Sequence, residues 1–356
     1  MININLKQMK LIIYKSAILF YILSLISCDT NDNNNPNVNC DANFYTMISP
    51  SADSFMGRLN IHKYQKSDNL SIPTSVSTNN NFQPGSAILT LPSSTINPSL
   101  GKIVYQFSVT NGYYTFDINS NTVTTTSNSN GGSHAEFLGN DLRFLTVIWS
   151  NLVSGYVQSG DISIIDDAGN DISNFQNFDF SNSGLTNVAE IISTSNSQDK
   201  LYYMANTKLI VYDEVLDTWS DYLLETFDET TNKITYKGVE YAGNNTLYAL
   251  RSDITDVNNV TLELIKIDLN GSTAQTTVLK DLTNALSVQT APYFTTYKKN
   301  YISSSYDACD DSYYFSLVDE ISLTSANSIL FEIKLISDVV NEYPINGQFL
   351  YGINKD

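Results

Sequence analysis

A strand–turn–strand–loop–strand–turn–strand unit recurs along this chain, and that repetition limits the fold more than any other feature. The clearest copy runs Lys237-Gly238-Val239-Glu240-Tyr241-Ala242, an Asn244-Asn245 turn, then Thr246-Leu247-Tyr248-Ala249-Leu250. It continues with Thr261-Leu262-Glu263-Leu264-Ile265-Lys266-Ile267-Asp268, an Asn270-Gly271 turn and Thr276-Thr277-Val278-Leu279. The order returns upstream as Lys200-Leu201-Tyr202-Tyr203-Met204 and Lys208-Leu209-Ile210-Val211-Tyr212-Asp213. It returns downstream as Asp311-Ser312-Tyr313-Tyr314-Phe315 and Ile329-Leu330-Phe331-Glu332-Ile333. Weaker copies hold Lys102-Ile103-Val104-Tyr105 with Tyr113-Tyr114-Thr115-Phe116, and Leu142-Arg143-Phe144-Leu145 with Ile162-Ser163-Ile164-Ile165. Short runs of β-branched and aromatic residues between Asn, Asp and Gly read as strands joined by turns. No amphipathic pattern of helical length appears, and residues 279–286 allow one short helical turn or two.

The copies lie roughly 40 to 65 residues apart and each supplies about four strands, the period of propeller blades. Successive apolar positions in the central strands fit sheets packed on both faces. The expected fold is therefore all-β: a β-propeller of six four-stranded blades. The N-terminal copy, Phe44-Tyr45-Thr46-Met47-Ile48 with Arg58-Leu59-Asn60-Ile61-His62-Lys63-Tyr64, lacks a preceding strand. The chain ends with an unpaired one, Gln348-Phe349-Leu350-Tyr351-Gly352-Ile353. Placing that strand innermost in the first blade closes the ring and removes two exposed edges. Leu350-Tyr351-Gly352-Ile353 reads more like a second strand than a first, so seven blades stay open, as do tandem β-sandwiches.

In strand order the chain resembles bacterial β-propeller proteins with kelch-like, NHL-like or quinoprotein-like blades. Val211-Tyr212-Asp213 with Thr218-Trp219 is similar to the end of a kelch blade, whereas Asn196-Ser197-Gln198 lacks the kelch Gly-Gly pair. At the level of motif the resemblance spans about residues 187–282. It implies a fold and no activity, because propellers host many functions.

The N-terminus carries Lys7, Lys10 and Lys15, then the apolar run Ala17-Ile18-Leu19-Phe20-Tyr21-Ile22-Leu23. A basic stretch, a short apolar run and a small residue before the cut mark a secretory signal, here residues 1–27. Leu25-Ile26-Ser27-Cys28 resembles the lipobox of bacterial lipoproteins, which implies cleavage before Cys28 and diacylglycerol on its thiol. Residues 28–41, mostly Asn and Asp with almost nothing to bury, are expected to form a disordered tether. The propeller is expected over 42–356. The chain is thus expected to be exported and lipid-anchored in the cell envelope.

Lys and Arg number 19 against 37 Asp and Glu, and losing the signal's three lysines takes the net charge from −18 to −21. Nucleic acid is a poor partner for such a chain, because binding it requires cations that neutralise phosphates. Of three cysteines, Cys28 goes to lipid. Cys40 and Cys309 remain, and in an oxidising compartment they can pair. Ring closure would bring them together, because each falls at a first-to-second turn of neighbouring blades.

Catalytic signals are thin. The chain has no G-x-S-x-G, no G-x-x-x-x-G-K and no H-E-x-x-H. Its two histidines are His62, read as structural, and His134, which forms an H-x-E with Glu136 but lacks the P-C-x-x-C of zinc deaminases. Asp166-Asp167-Ala168-Gly169-Asn170-Asp171 has Ca²⁺-ligand chemistry but sits where a hairpin is already required. The positional clue lies in the second-to-third connections, which read as long loops at 49–57, 150–161, 252–259 and 318–328, and as tight turns at 110–112 and 205–207. All emerge on one propeller face, and long loops are where binding tends to reside. They carry Asp53, Phe55, Trp149 (at the end of its strand), Tyr156, Asp253, Asp256, Asp319 and Glu320. The function expected is a non-catalytic module binding a protein or glycan; the alternative is a carboxylate- or Ca²⁺-dependent enzyme acting on glycans or peptides.

Overall fold

The computed structural model describes residues 40–48, 57–70, 74–82, 92–107, 112–127, 133–153, 156–173, 178–179, 185, 191–225, 233–295, 302–321, 326–346 and 348–354. The signal, Cys28 and nearly all of the tether lie outside them. The strand ends owe much to a repeated turn. Asn97, Asp117, Asp213 and Asp307 each turn a side-chain oxygen back onto a backbone N–H two or three residues on, at 2.8 to 3.0 Å. Four residues after each comes a left-handed residue, namely Gly101, Asn121, Asp217 and Asp311. Asn, Asp and Gly tolerate that conformation best, so the turn is written in the local sequence.

The strands are β1 (Ala42–Ile48), β2 (Gly57–Gln65), β3 (Thr74–Phe82), β4 (Pro92–Asn97), β5 (Lys102–Phe107), β6 (Gly112–Asp117) and β7 (Thr122–Ser127). Next come β8 (Ser133–Leu138), β9 (Asp141–Val153), β10 (Tyr156–Asp166), β11 (Phe178–Asp179), β12 (Ile191–Ser195), β13 (Lys200–Ala205), β14 (Lys208–Asp213) and β15 (Thr218–Leu223). The last are β16 (Ile234–Gly243), β17 (Thr246–Asp253), β18 (Thr261–Asn270), β19 (Thr273–Asp281), β20 (Ser303–Asp307), β21 (Ser312–Ile321), β22 (Ala326–Lys334), β23 (Val339–Asn346) and β24 (Gln348–Asn354). They form antiparallel four-stranded sheets in the orders β24-β1-β2-β3, β4 to β7, β8 to β11, β12 to β15, β16 to β19 and β20 to β23. Five have four full strands; in the β8 to β11 sheet the outer strand is two residues long. The first strands of the sheets touch in the cyclic order β24, β4, β8, β12, β16, β20 and back to β24. The fold is an all-β propeller.

Each sheet is covered on both faces, which explains the unbroken apolar runs. Within β13, Leu201, Tyr203 and Ala205 pack with Leu145, Ile162 and Ile164 of the preceding sheet. Their neighbours Tyr202 and Met204 pack with Leu247, Ala249, Ile265 and Ile267 of the next one. β21 repeats the scheme, with Tyr313 and Phe315 against Leu250, Leu262 and Leu264, and Tyr314 against Phe44 and Tyr64. Trp219, in the kelch-like ending, lies tilted against Tyr212 at 4.8 Å and reaches Phe178 of the preceding sheet at 5.8 Å. Gly238 is required at a bulge in β16: its φ is +55°, and a Cβ would sit 2.5 Å from the Tyr313 hydroxyl.

Where the ends of the chain meet, the ring is held in three ways. β24 pairs with β1, Ala42 opposite Asn354 and Met47 opposite Gln348. Cys40 and Cys309 are disulfide-bonded, with Cα atoms 5.6 Å apart. Lys66, in a 3-10 turn after β2, donates to Asp310 and to the Tyr314 hydroxyl (2.7 Å), and pairs with Glu332 at 2.8 Å. Lys334 pairs with the same two carboxylates, while Asn341 and the Tyr343 hydroxyl donate to the other Glu332 oxygen.

Three expectations are corrected. Residues 150–161 and 318–328 are largely not loops, because strand pairing continues through them to Tyr156 opposite Val153 and Ile321 opposite Ala326. The one or two helical turns expected at 279–286 shrink to a single turn, closed by the Ala285 N–H on the Leu282 carbonyl at 3.2 Å, because Leu279 belongs to β19; the helix is α1 (Ala291–Thr295). Pro292 suits that position, since the first helical turn has N–H groups without intrahelical partners.

Candidate functional site

Connections in an antiparallel meander alternate between two ends, so the fold has two unlike faces. First-to-second and third-to-fourth turns share one face. They are four residues or fewer between β4 and β5, β6 and β7, β8 and β9, β12 and β13, β14 and β15, β16 and β17, β18 and β19, β20 and β21, and β22 and β23. The opposite face is elaborated. It carries residues 254–260 between β17 and β18, and 282–302 between β19 and β20, the latter holding α1 with Tyr293 and Phe294 buried.

The same face carries the far end of the β9–β10 hairpin. β9 has 13 residues and β10 has 11, but β8 pairs with β9 only as far as Leu145, and β11 meets β10 only at Asp161 and Ile162. Among the described residues, no other strand pairs with 147–153 or 156–160. The result, among the described residues, is a two-stranded arm. No charged residue falls between 147 and 160.

The structure brings several expected residues to this face. Trp149 lies in the arm opposite Gly160, and Tyr156 starts β10 at its tip. Asp319 and Glu320 are strand residues of β21, not loop residues, with Glu320 opposite Asn327. Asp253 closes β17 and Asp256 lies in the 254–260 loop, and both serve that loop. The Thr255 N–H donates to Asp253 at 2.9 Å and the Asn258 N–H to Asp256 at 3.0 Å. Asp53 and Phe55 lie outside the described residues.

The Asp166–Asp171 stretch forms a turn in which both Asp166 oxygens accept from Asn170, at 2.7 and 2.8 Å. Among the described residues, no three His, Cys, Asp or Glu side chains gather as a metal ion would need. His62 lies in β2, where burial lowers its pKa, and a His134 ring nitrogen lies 2.7 Å from the Ile191 carbonyl oxygen.

A second polar assembly, missed from sequence, runs between the first strands. Glu136 of β8 accepts from the Thr95 hydroxyl of β4 (3.0 Å) and the Ser193 hydroxyl of β12 (2.6 Å), tying three sheets together. The Ser304 hydroxyl of β20 donates to Glu240 of β16 at 2.5 Å. Burial pushes the Glu136 carboxyl up to about 8; the Ser193 and Thr95 hydrogen bonds oppose this and the Glu240 charge adds to it. The sequence singles out Glu136 through the H-x-E with His134 and as a lone acid beside apolar residues, Ala135-Glu136-Phe137-Leu138, but neither names its partners. Buried, with each oxygen accepting from a hydroxyl, this carboxyl keeps its proton at neutral pH.

A stability consequence follows. The folded protein keeps the Glu136 proton between the ordinary 4.5 and about 8, where the unfolded chain has lost it. Stability from this group is therefore present below 4.5 and is lost as pH rises through 8. Glu136→Gln should flatten that limb: relative to the variant, the wild-type melting temperature falls by about 5 °C or more from pH 5 to 9. Parallel melting curves across that range would show that Glu136 ionises normally.

No protein-family model matches the chain, and no curated protein matches it. Solved structures do. A protein of unknown function from Bacteroides caccae aligns at 8% identity with a TM-score of 0.46, covering 89% of this chain and 99% of that one. One from Bacteroides thetaiotaomicron aligns at 10% identity and TM-score 0.44, covering 85% of this chain; the alignment spans 64% of that protein's length. The β-propeller domain of Myceliophteria thermophila Cps50 (Swd1) aligns at 8% identity and TM-score 0.37, covering 85% of each. The propeller assignment rests on the strand order and the cyclic contacts.

Proposed function

We propose that this is an exported lipoprotein, cleaved before Cys28 and held to a membrane by lipid on that cysteine. Its propeller is a ring of six blades, closed by β24 as the innermost strand of the first. It acts as a non-catalytic binding module for a protein or glycan partner. The lipobox-like Leu25-Ile26-Ser27-Cys28 and the basic-then-apolar leader support the anchor. One observation carries the binding role: the two faces differ. Short turns cover most of one, while the arm, the 254–260 loop and the 282–302 segment all belong to the other. Extra length on a rigid scaffold is where recognition commonly resides. A charge-free arm with backbone groups along its edges can add a strand from an extended polypeptide. The arm's sequence includes two aromatic residues, Trp149 and Tyr156, of the type that either kind of partner favours.

The test is a pull-down from detergent-solubilised membranes, using wild type, a Cys28→Ala control and a variant whose arm residues 147–160 are replaced by a tight turn. Cys28→Ala should stop fatty-acid labelling and release the protein from membranes. Trimming the arm should leave the melting temperature nearly unchanged and lower partner recovery about tenfold, the equivalent of ~1.4 kcal/mol. Unchanged recovery would move the partner off this face, and a control that still labels and sediments would remove the anchor.

A further inference from the structure

We propose that the tight-turn face of the propeller rests on the membrane, with Val215, Leu216 and Ile336 entering the interfacial layer of a zwitterionic lipid surface. This builds on the reading of Cys28 as the lipid anchor and adds an orientation to it.

The first support is where the chain joins the body. Cys40 precedes β1 at the end where Ala42 pairs with Asn354, the tight-turn end. Its disulfide fixes it to Cys309 in the β20–β21 turn on that same face. Asp41 beside it accepts from the Ser67 N–H (2.9 Å) and hydroxyl (3.0 Å) in the β2–β3 connection, again on that face. The chain's entry point is thus fixed by a covalent bond and two hydrogen bonds. The twelve steps from Cys28 to Cys40 span at most ~40 Å when fully extended. The tether is joined to the body on the tight-turn face, so lipid at its other end draws that face toward the bilayer.

The second support is side-chain chemistry. Ile336 is 81% exposed, Val215 76% and Leu216 68%, the highest values among the large hydrophobic residues described. They occupy the β22–β23 and β14–β15 turns, on the face where Cys40 enters. A single exposed aliphatic residue means little on a soluble surface. Three at turn tips on the face to which the lipid is tethered form the shallow apolar contact that an interface accepts. Glu214 and Asp338 beside them are paired with Arg143 and Lys280, but the chain as a whole carries a net charge of −18, so an anionic bilayer would repel it and a zwitterionic one would not.

The experiment uses the full lipidated chain in phosphatidylcholine vesicles, with the Cys40–Cys309 bond intact. Single variants Ile336→Cys, Val215→Cys and Val257→Cys carry a nitroxide, Val257 being an exposed reference in the 254–260 loop of the opposite face. Accessibility to a water-soluble paramagnetic relaxant is read with and without vesicles. At 336 and 215 it should fall severalfold on the vesicle, and at 257 it should stay unchanged. Equal accessibility at all three sites, or protection at 257 alone, overturns the orientation while the lipidated protein still sediments. A chain that carries no lipid and stays in the supernatant overturns the anchor, and this proposal with it.

Discussion

Replacing Cys40 and Cys309 together by serine should lower the unfolding free energy by about 3 to 5 kcal/mol. The bond links residues 269 apart, so in the unfolded chain it closes a loop that takes in most of the propeller. On the chain-entropy account, a loop of that length removes more disorder from the unfolded state than a short one would. The location adds to the effect. The two ends of the chain are otherwise held together here by non-covalent contacts, β24 beside β1 within the first sheet and the Lys66 cluster between the first and last sheets. Urea unfolding of the double variant in non-reducing buffer should give a lower midpoint with a similar or steeper slope. The double variant avoids leaving a free thiol that could cross-link chains. A midpoint equal to wild type would mean that the non-covalent seam alone holds the ends together.

Lys66→Met should cost a comparable amount, about 3 to 5 kcal/mol at neutral pH, because it leaves part of a buried charge cluster uncompensated. Glu332 is 1% exposed. Burial alone would raise its carboxyl. The hydrogen bonds from Lys66, Asn341 and Tyr314, with the Lys66 charge, outweigh burial and hold it down at about 2. A depressed carboxyl stabilises the fold above its ordinary 4.5, and that stability is lost as pH falls from 4.5 toward 2. The variant should therefore lose stability at pH 7 and also show a shallower acid limb. Lys334, Tyr343 and Asn341 remain on Glu332, which places the loss toward the lower end of the range. Adding Glu332→Gln to Lys66→Met should recover part of it, since no buried carboxylate then needs a cation. Additive losses in that double variant would show that the two side chains act independently.

The all-β class and many of the strand positions were legible in the sequence because they depend on neighbours in the chain. Asp213 followed four residues later by Asp217 makes a turn whatever surrounds it, since one side chain folds onto the local backbone and the other accepts a positive φ. The Tyr202-Tyr203-Met204 run announced a strand covered on both faces, because alternate residues of any strand point to opposite sides. The extent of the hairpins was not legible. Residues 150–161 hold Ser, Gly and Asn, and their local preferences suggest a loop; antiparallel pairing of β9 with β10 carries them as strand instead. Such pairing is a property of two backbones meeting, and β-propensity depends strongly on that context.

The sequence by itself determined the turns, the strand period and the absence of long amphipathic helices, all of them interactions within a few residues. Only the tertiary structure decided where charge would be buried. Nothing around Glu136 in the chain announces that it will be buried between three sheets, where burial keeps its proton on against the hydrogen bonds from Thr95 and Ser193. Lys66 stands among ordinary surface residues in sequence, yet it meets Asp310 from 244 positions away and helps to hold Glu332 ionised. Whether a carboxyl keeps or loses its proton depends on the dielectric and the charges within a few ångströms of it. In a propeller those neighbours come from adjacent sheets, and the local sequence carries no record of them.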